Sequence, residues 1–261
     1  THSAGLHRLR SVIDDATEML DWDHMVDALA RQPPAYPPGS KTGYHALTYG
    51  WLAGEIVRRV SGRALADVVR DDISAPLGLD GLFLGCPPEE RHRVAPLEPM
   101  GPFFGNAPRP IRRVQKVVGT QLAKTLSLTR APVNTRRMIN ALLPRGMEDV
   151  VVSPEIMDAS IPAANGFFTA RSLAAMYAVY AEGGTLQGHT MFSPESVARI
   201  GEEQNSRRDI VLVMPMRWRL GYHSVLGGGR AAKAAFGHYG FGGSGAWADP
   251  SSGLSMAMTC N

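Results

Sequence analysis

Cysteine is nearly absent from this chain of 261 residues. The two present, Cys86 and Cys260, lie far apart and show no ligand spacing, which excludes a disulfide framework and a zinc ribbon. Long apolar runs are missing too, since none reaches the roughly 18 residues of a membrane-spanning helix. Charge of one sign is not concentrated anywhere. The net charge is +3, and the basic residues fall in scattered pairs such as Arg58-Arg59, Arg112-Arg113, Arg136-Arg137 and Arg207-Arg208, so no nucleic-acid partner is expected. Internal repeats and clean linkers are also lacking, and nothing in the pattern speaks to oligomeric state. The chain opens on Thr1-His2-Ser3-Ala4-Gly5-Leu6 without an initiator Met or a signal-peptide layout. It reads as processed or excerpted, which leaves the compartment open between cytoplasm and cell envelope.

What remains is a globular composition, 44% hydrophobic and 20% charged, long enough for a full core in one large domain or two interleaved lobes. Apolar spacing predicts a helix over 11–31 with Val12, Ile13, Met19, Leu20, Met25, Val26 and Leu29 inward. Asp14, Asp15, Glu18, Asp21, Asp23 and Asp27 form its wet face, with no Gly-punctuated calcium loop beside them. A second helix follows Tyr44, carries Leu47, Trp51, Leu52, Ile56, Val57 and Val60 on its apolar side, and stops at Gly62. A third is expected over 64–74, ended by Pro76, and a Pro/Gly-rich loop over 86–110. Helical patterns at 111–127 and 134–143 come next. The first is basic and amphipathic, which fits core packing or a weak contact with a membrane or lipid surface. Thr169 starts a helix ended by Gly183-Gly184, and Ser193-Pro194-Glu195 opens a short one. Beyond residue 209 the pattern turns to strands at 210–214, 218–225, 245–248 and 254–259, so the fold class is α+β: a mostly helical stretch, 1–168, then a helix with antiparallel strands, 169–261.

Two segments carry chemistry. Pro37-Pro38-Gly39-Ser40-Lys41-Thr42-Gly43-Tyr44 is a tight turn that delivers a phenol to a helix start, where backbone N–H groups and the macrodipole favour the phenolate. A free phenol ionises near pH ~10, so Tyr44 acting as a base needs a cationic neighbour. The alternative is a packing residue. Gly237-His238-Tyr239-Gly240-Phe241-Gly242-Gly243-Ser244-Gly245 lies between strands, and its glycines let a backbone approach a ligand and aim N–H groups at it. Gly242-Gly243-Ser244-Gly245-Ala246 nearly matches a nucleophile elbow, but turn and strand follow it where a helix, an Asp and a His are required.

Taken in order, Tyr44-His45-Ala46, Ala75-Pro76-Leu77-Gly78-Leu79, Pro162-Ala163-Ala164-Asn165-Gly166 and Gly237-His238-Tyr239-Gly240-Phe241 with Ala248-Asp249-Pro250 resemble the serine β-lactamase-like family. The class C β-lactamase and esterase (lipase) branch is the most similar. The resemblance runs the length of the chain and implies a β-lactamase/transpeptidase-like fold performing acyl transfer on a small ester or acyl substrate, with neither cofactor nor metal. It implies Tyr44 as base, His238-Tyr239-Gly240 in place of a Lys-Thr-Gly strand, and the Phe241 N–H as an oxyanion donor. Tyr239, Gly240, Gly242 and Ala46 then line the substrate. Ala46 replaces an Asn and His238 replaces a Lys, both of which favour esters over penicillins. No serine has a lysine three positions later, so the nucleophile helix is expected outside this sequence, which the resemblance also implies is missing a closing helix at its other end. An inactive ligand-binding relative, a β-lactamase and a D-Ala-D-Ala peptidase are the alternatives.

Overall fold

The computed structural model describes residues 1–97, 141, 144–225, 232–240 and 243–260. The helices expected over 111–127 and 134–143 lie outside them, Ala141 apart, as does the 86–110 loop beyond residue 97.

The helix expected over 11–31 is three pieces: 3-10 turns at Leu9–Ser11 and Ala16–Leu20, then α1, Trp22–Arg31. Two carboxylates from its supposed wet face cause the breaks. Asp15 accepts the Thr17 N–H at 2.9 Å in a capping box with Glu18, and Asp21 accepts the His24 N–H at 3.0 Å to start α1. Helix α2, Thr48–Ser61, ends at Gly62, whose φ of 69° is the left-handed closure the sequence predicts. Its packing face differs from expectation. Ile56 and Val60 are 66% and 84% exposed, whereas Gly50, Trp51, Gly54 and Glu55 are buried. The two glycines let neighbours approach: a Cβ on Gly54 would sit 2.7 Å from the Trp22 ring, and one on Gly50 2.9 Å from the Ala163 N. Trp51 joins Leu9, Ile13, Met19, Met25 and Ile161 in the first core.

Glu55 ties α1 to α2. Its carboxylate accepts from the Trp22 Nε1 at 2.9 Å and from Arg58 and Arg59 at 2.7 Å. The hydrogen bonds from Arg58, Arg59 and Trp22 hold its pKa down to about 2. A depressed acid stabilises the fold fully above its unfolded value of 4.5, and this contribution is lost as pH falls through about 2. Urea unfolding followed between those limits should therefore show a shallower acid loss in Glu55→Gln than in the parent protein. Parallel losses would remove Glu55 from the account.

Beyond α2, the helix expected over 64–74 is α3, Leu65–Val68, continued by a π turn at Val69–Ser74. Strand β1, Leu82–Leu84, pairs antiparallel with β2, Gly166–Phe168, placing Leu82 opposite Phe168, and the one-turn helix α4, Met147–Val150, intervenes. Buried Asn165 staples the approach to β2: its Oδ1 accepts the Ile161 N–H, and its Nδ2 donates to the Ile156 and Ala159 carbonyls.

The second half follows its caps closely. Thr169 accepts the Ser172 N–H to start α5, Ala170–Ala181. After a hairpin of β3, Thr185–Leu186, and β4, His189–Thr190, Ser193 caps α6, Pro194–Gly201. An antiparallel sheet orders β5 (His223–Ser224), β6 (Phe236–Tyr239), β7 (Gly245–Asp249) and β8 (Leu254–Met258) side by side. Tyr177 and Tyr180 of α5 pack on Phe236, Ala246 and Ala248 of that sheet, forming the second core. The expected strand at 210–214 does not form, and that at 218–225 shrinks to β5 with isolated bridges at Trp218. Asp209 is the reason for the first: its Oδ1 accepts the Val211 and Leu212 N–H groups that a ladder would use.

Candidate active site

Helix α2 opens at Thr48, beyond Tyr44, so the phenol is not seated at the helix mouth. The chain before α2 instead turns Tyr44 toward β6, where its hydroxyl lies 3.3 Å from His238 Nε2. Trp218 stacks on the Tyr44 ring at 5.6 Å and an interplanar angle of 13°, and the His2 ring meets it edge-on at 5.0 Å. The Tyr44 N–H donates to Asp209 Oδ1 at 3.1 Å.

The electrostatics run against a phenolate. Burial, reinforced by the negative charge of Asp209, pushes the Tyr44 pKa up to about 12. Burial and the neighbouring His223 press His238 down to about 4, only partly countered by a hydrogen bond to the Tyr239 backbone. His2, lowered to about 2, and His45, lowered to about 4, are both held down first by burial. At neutral pH, then, a neutral phenol faces a neutral imidazole, and none of these rings supplies the cation that Tyr44 needs as a base. In the tautomer with Nε2 unprotonated, His238 can accept the phenol's proton in that hydrogen bond.

The structure brings Tyr44 and His238 together across a separation of 194 residues. Tyr239 follows on β6, 37% exposed, with its ring 5.6 Å from His223. Gly240 is exposed at the hairpin, and its N–H is already given to the Ser244 carbonyl at 2.7 Å. Ala46 is half-buried between His45 and α2. Phe241, the expected oxyanion donor, and Gly242 lie outside the described residues.

Sequence reasoning passed over four contributors to the site wall: His2, Asp209, Trp218 and His223. The histidines other than His238 read as structural or exposed, and His2, His45 and His223 are indeed buried, but around the site. One local signal was available for Asp209, an Asp preceding an apolar run. Its reach to Tyr44 had none.

A polar recess of about 400 Å³, lined by Thr1, Ser3, Gly39, Gln204 and Arg207 among others, contains none of the candidate catalytic side chains. Among the described residues no cluster of His, Cys, Asp or Glu has the arrangement to hold a metal, and no helix is long and apolar enough to cross a membrane.

Known proteins resemble the chain over its whole length. The family model described as Beta-lactamase matches residues 1–261. Esterase/beta-lactamase LipL of Mycobacterium tuberculosis is 34% identical over 271 residues, covering 100% of this chain and 57% of LipL. A penicillin-binding protein homolog from Caulobacter crescentus superposes with a TM-score of 0.75 at 35% identity, covering all of this chain and 63% of the homolog. A family VIII carboxylesterase superposes with a TM-score of 0.77 at 29% identity, covering all of this chain and 64% of the esterase. The chain thus spans less than two thirds of the length of these relatives.

Proposed function

The chain belongs to the beta-lactamase family, and on that footing we propose that it is the greater part of a serine hydrolase of carboxylic esters. The nucleophile lies on a Ser-x-x-Lys segment outside these residues. The observation that carries this reading is the Tyr44 hydroxyl set 3.3 Å from His238 Nε2, a hydrogen-bonded pair built from two distant segments. The serine oxygen attacks the ester carbonyl carbon while its proton passes to the Tyr44 oxygen, held as a phenolate beside the ammonium of the motif lysine. Collapse of the tetrahedral adduct expels the alcohol, which takes up that proton. Water then attacks the acyl carbon, giving a proton to Tyr44 that passes on to the departing serine oxygen, so that the acid is freed and the serine regenerated. The lysine ammonium supplies the positive charge that the imidazoles around Tyr44 do not.

Preference for esters over lactams follows from what faces the substrate. Penicillins carry a carboxylate that a fixed cation would receive, and at this place the chain offers His238, neutral at pH 7 with its pKa near 4. Ala46 offers no amide to a lactam side chain. The test is covalent labelling of the full-length protein by a fluorophosphonate, with turnover of short-chain nitrophenyl esters and of nitrocefin measured in parallel. Labelling that is lost when the Ser-x-x-Lys serine is substituted, with esters much the faster substrates, is expected. A nitrocefin rate rivalling the ester rate overturns the preference. No labelling and no turnover would make the protein a ligand-binding relative.

A further inference from the structure

Three consecutive backbone N–H groups around Tyr44 are all spoken for by partners far away in sequence. The Gly43 N–H donates to the His2 carbonyl at 3.0 Å, the Tyr44 N–H to Asp209 Oδ1 at 3.1 Å, and the His45 N–H to His2 Nδ1 at 3.1 Å. No helix or ladder holds this stretch, so these bonds set where the phenol stands.

We propose that His2 and Asp209 are positioning residues that clamp Tyr44 from two separate segments and hold its hydroxyl at His238. The proposal rests on the reading of Tyr44 as proton shuttle. Both partners show the marks of a constrained device. His2 is a non-glycine residue with φ of 54°, a conformation that costs energy and persists where surroundings enforce it. Its ring is wedged against Trp218 at 4.1 Å, Tyr44 at 5.0 Å and Tyr49 at 5.3 Å. Only an unprotonated Nδ1 can accept the His45 N–H, and burial keeps this imidazole neutral. Asp209 is fully buried, spends Oδ1 on three N–H groups, and leaves Oδ2 with no hydrogen-bond partner among the described residues. A buried carboxylate oxygen left unpaired is costly, and Asp209 is kept in place against that cost by the three N–H groups on Oδ1, one of them from Tyr44. The titratable groups facing Tyr44 are Asp209, His2 and His238, with His223 behind the last.

Two substitution pairs in the full-length protein test the clamp. Asp209→Asn keeps an acceptor oxygen and removes the charge. Tyrosinate absorbance titration, taken as a difference against Tyr44→Phe, should then show Tyr44 ionising at lower pH than in the parent protein, because the Asp209 charge that raises it is gone, with ester kcat largely retained. Asp209→Ala removes the acceptor and should lower kcat about 10–100-fold with KM little changed, the scale of an ångström-level misplacement. His2→Asn, which tolerates positive φ and presents an oxygen, should restore most of the kcat that His2→Ala loses by a similar factor. A Tyr44 titration unmoved by Asp209→Asn, or Asn variants no better than the Ala variants, overturns the clamp. If Asp209→Ala or His2→Ala does not fold, the titration decides alone. Unchanged turnover in Tyr44→Phe would instead overturn the shuttle, and the titration would still report on the clamp.

Discussion

Tyr44→Phe in the full-length protein is expected to lower ester turnover by about 10²–10⁴-fold, the usual worth of a positioned proton-transfer group. The substitution removes one oxygen and leaves the ring, so the stack on Trp218 and the edge contact with His2 survive, as do all three backbone hydrogen bonds of the stretch. The loss should therefore appear in kcat with little change in the unfolding midpoint. Its size is tied to a specific electrostatic requirement. A phenol with a pKa of about 12 is a poor base at pH 7, and the rings beside it, His238 and His2, are uncharged there. An ammonium within a few ångströms favours the phenolate, opposing burial and Asp209. The same logic predicts that substituting the lysine of the Ser-x-x-Lys segment costs as much as substituting Tyr44, and that the two losses do not add, because each disables one proton path. An ester rate unchanged by Tyr44→Phe would leave the phenol a packing residue, the reading that its neighbours Trp218 and His2 also permit.

What the sequence made legible was local. Thr169 and Ser193 start helices because a hydroxyl at that position satisfies an otherwise orphaned N–H, and Gly62 closes α2 because it alone takes left-handed φ cheaply. The misreadings at 11–31 and 210–214 share one cause: side chains doing backbone work. Asp15 and Asp21, counted as solvating charges, cap separate turns, and Asp209 draws 210–214 into a loop although its apolar content suits a strand. On α2 the apolar count pointed to Ile56 and Val60, but packing chose Gly50 and Gly54, whose lack of side chain admits Trp22, the Pro162 ring and the Ala163 N. Within the site, Tyr44 and His238 were legible only through the ordered resemblance, and the approach of His2 and Asp209 to Tyr44 not at all. Those contacts join positions with no shared local pattern.

Gly237→Ala is expected to destabilise the protein by about 3 kcal/mol, at the upper end of overpacking costs. From the sequence, the glycines at 237–245 are there to let a ligand approach the backbone. Gly237 has another occupation. It is buried in β6 with Trp247 of β7 opposite it and His223 of β5 on its other side. A Cβ here would lie 2.6 Å from the Trp247 Cα and closer still to the Ala246 carbonyl oxygen. Those atoms belong to backbone, which yields only if the two strands separate, and separation breaks ladder hydrogen bonds in the centre of a four-stranded sheet. Because His238 is the next residue, the same displacement would carry its Nε2 away from Tyr44, so activity should fall along with stability. Gly240→Ala is the control. Among the described residues a Cβ there meets only the Ser244 carbonyl, at 3.4 Å, an ordinary contact, and the cost should stay within about 0.5 kcal/mol, as for surface changes generally. Urea unfolding of the two variants separates the cases: equal stabilities would mean that β6 and β7 have room to spare, and that Gly237 is glycine for the ligand after all.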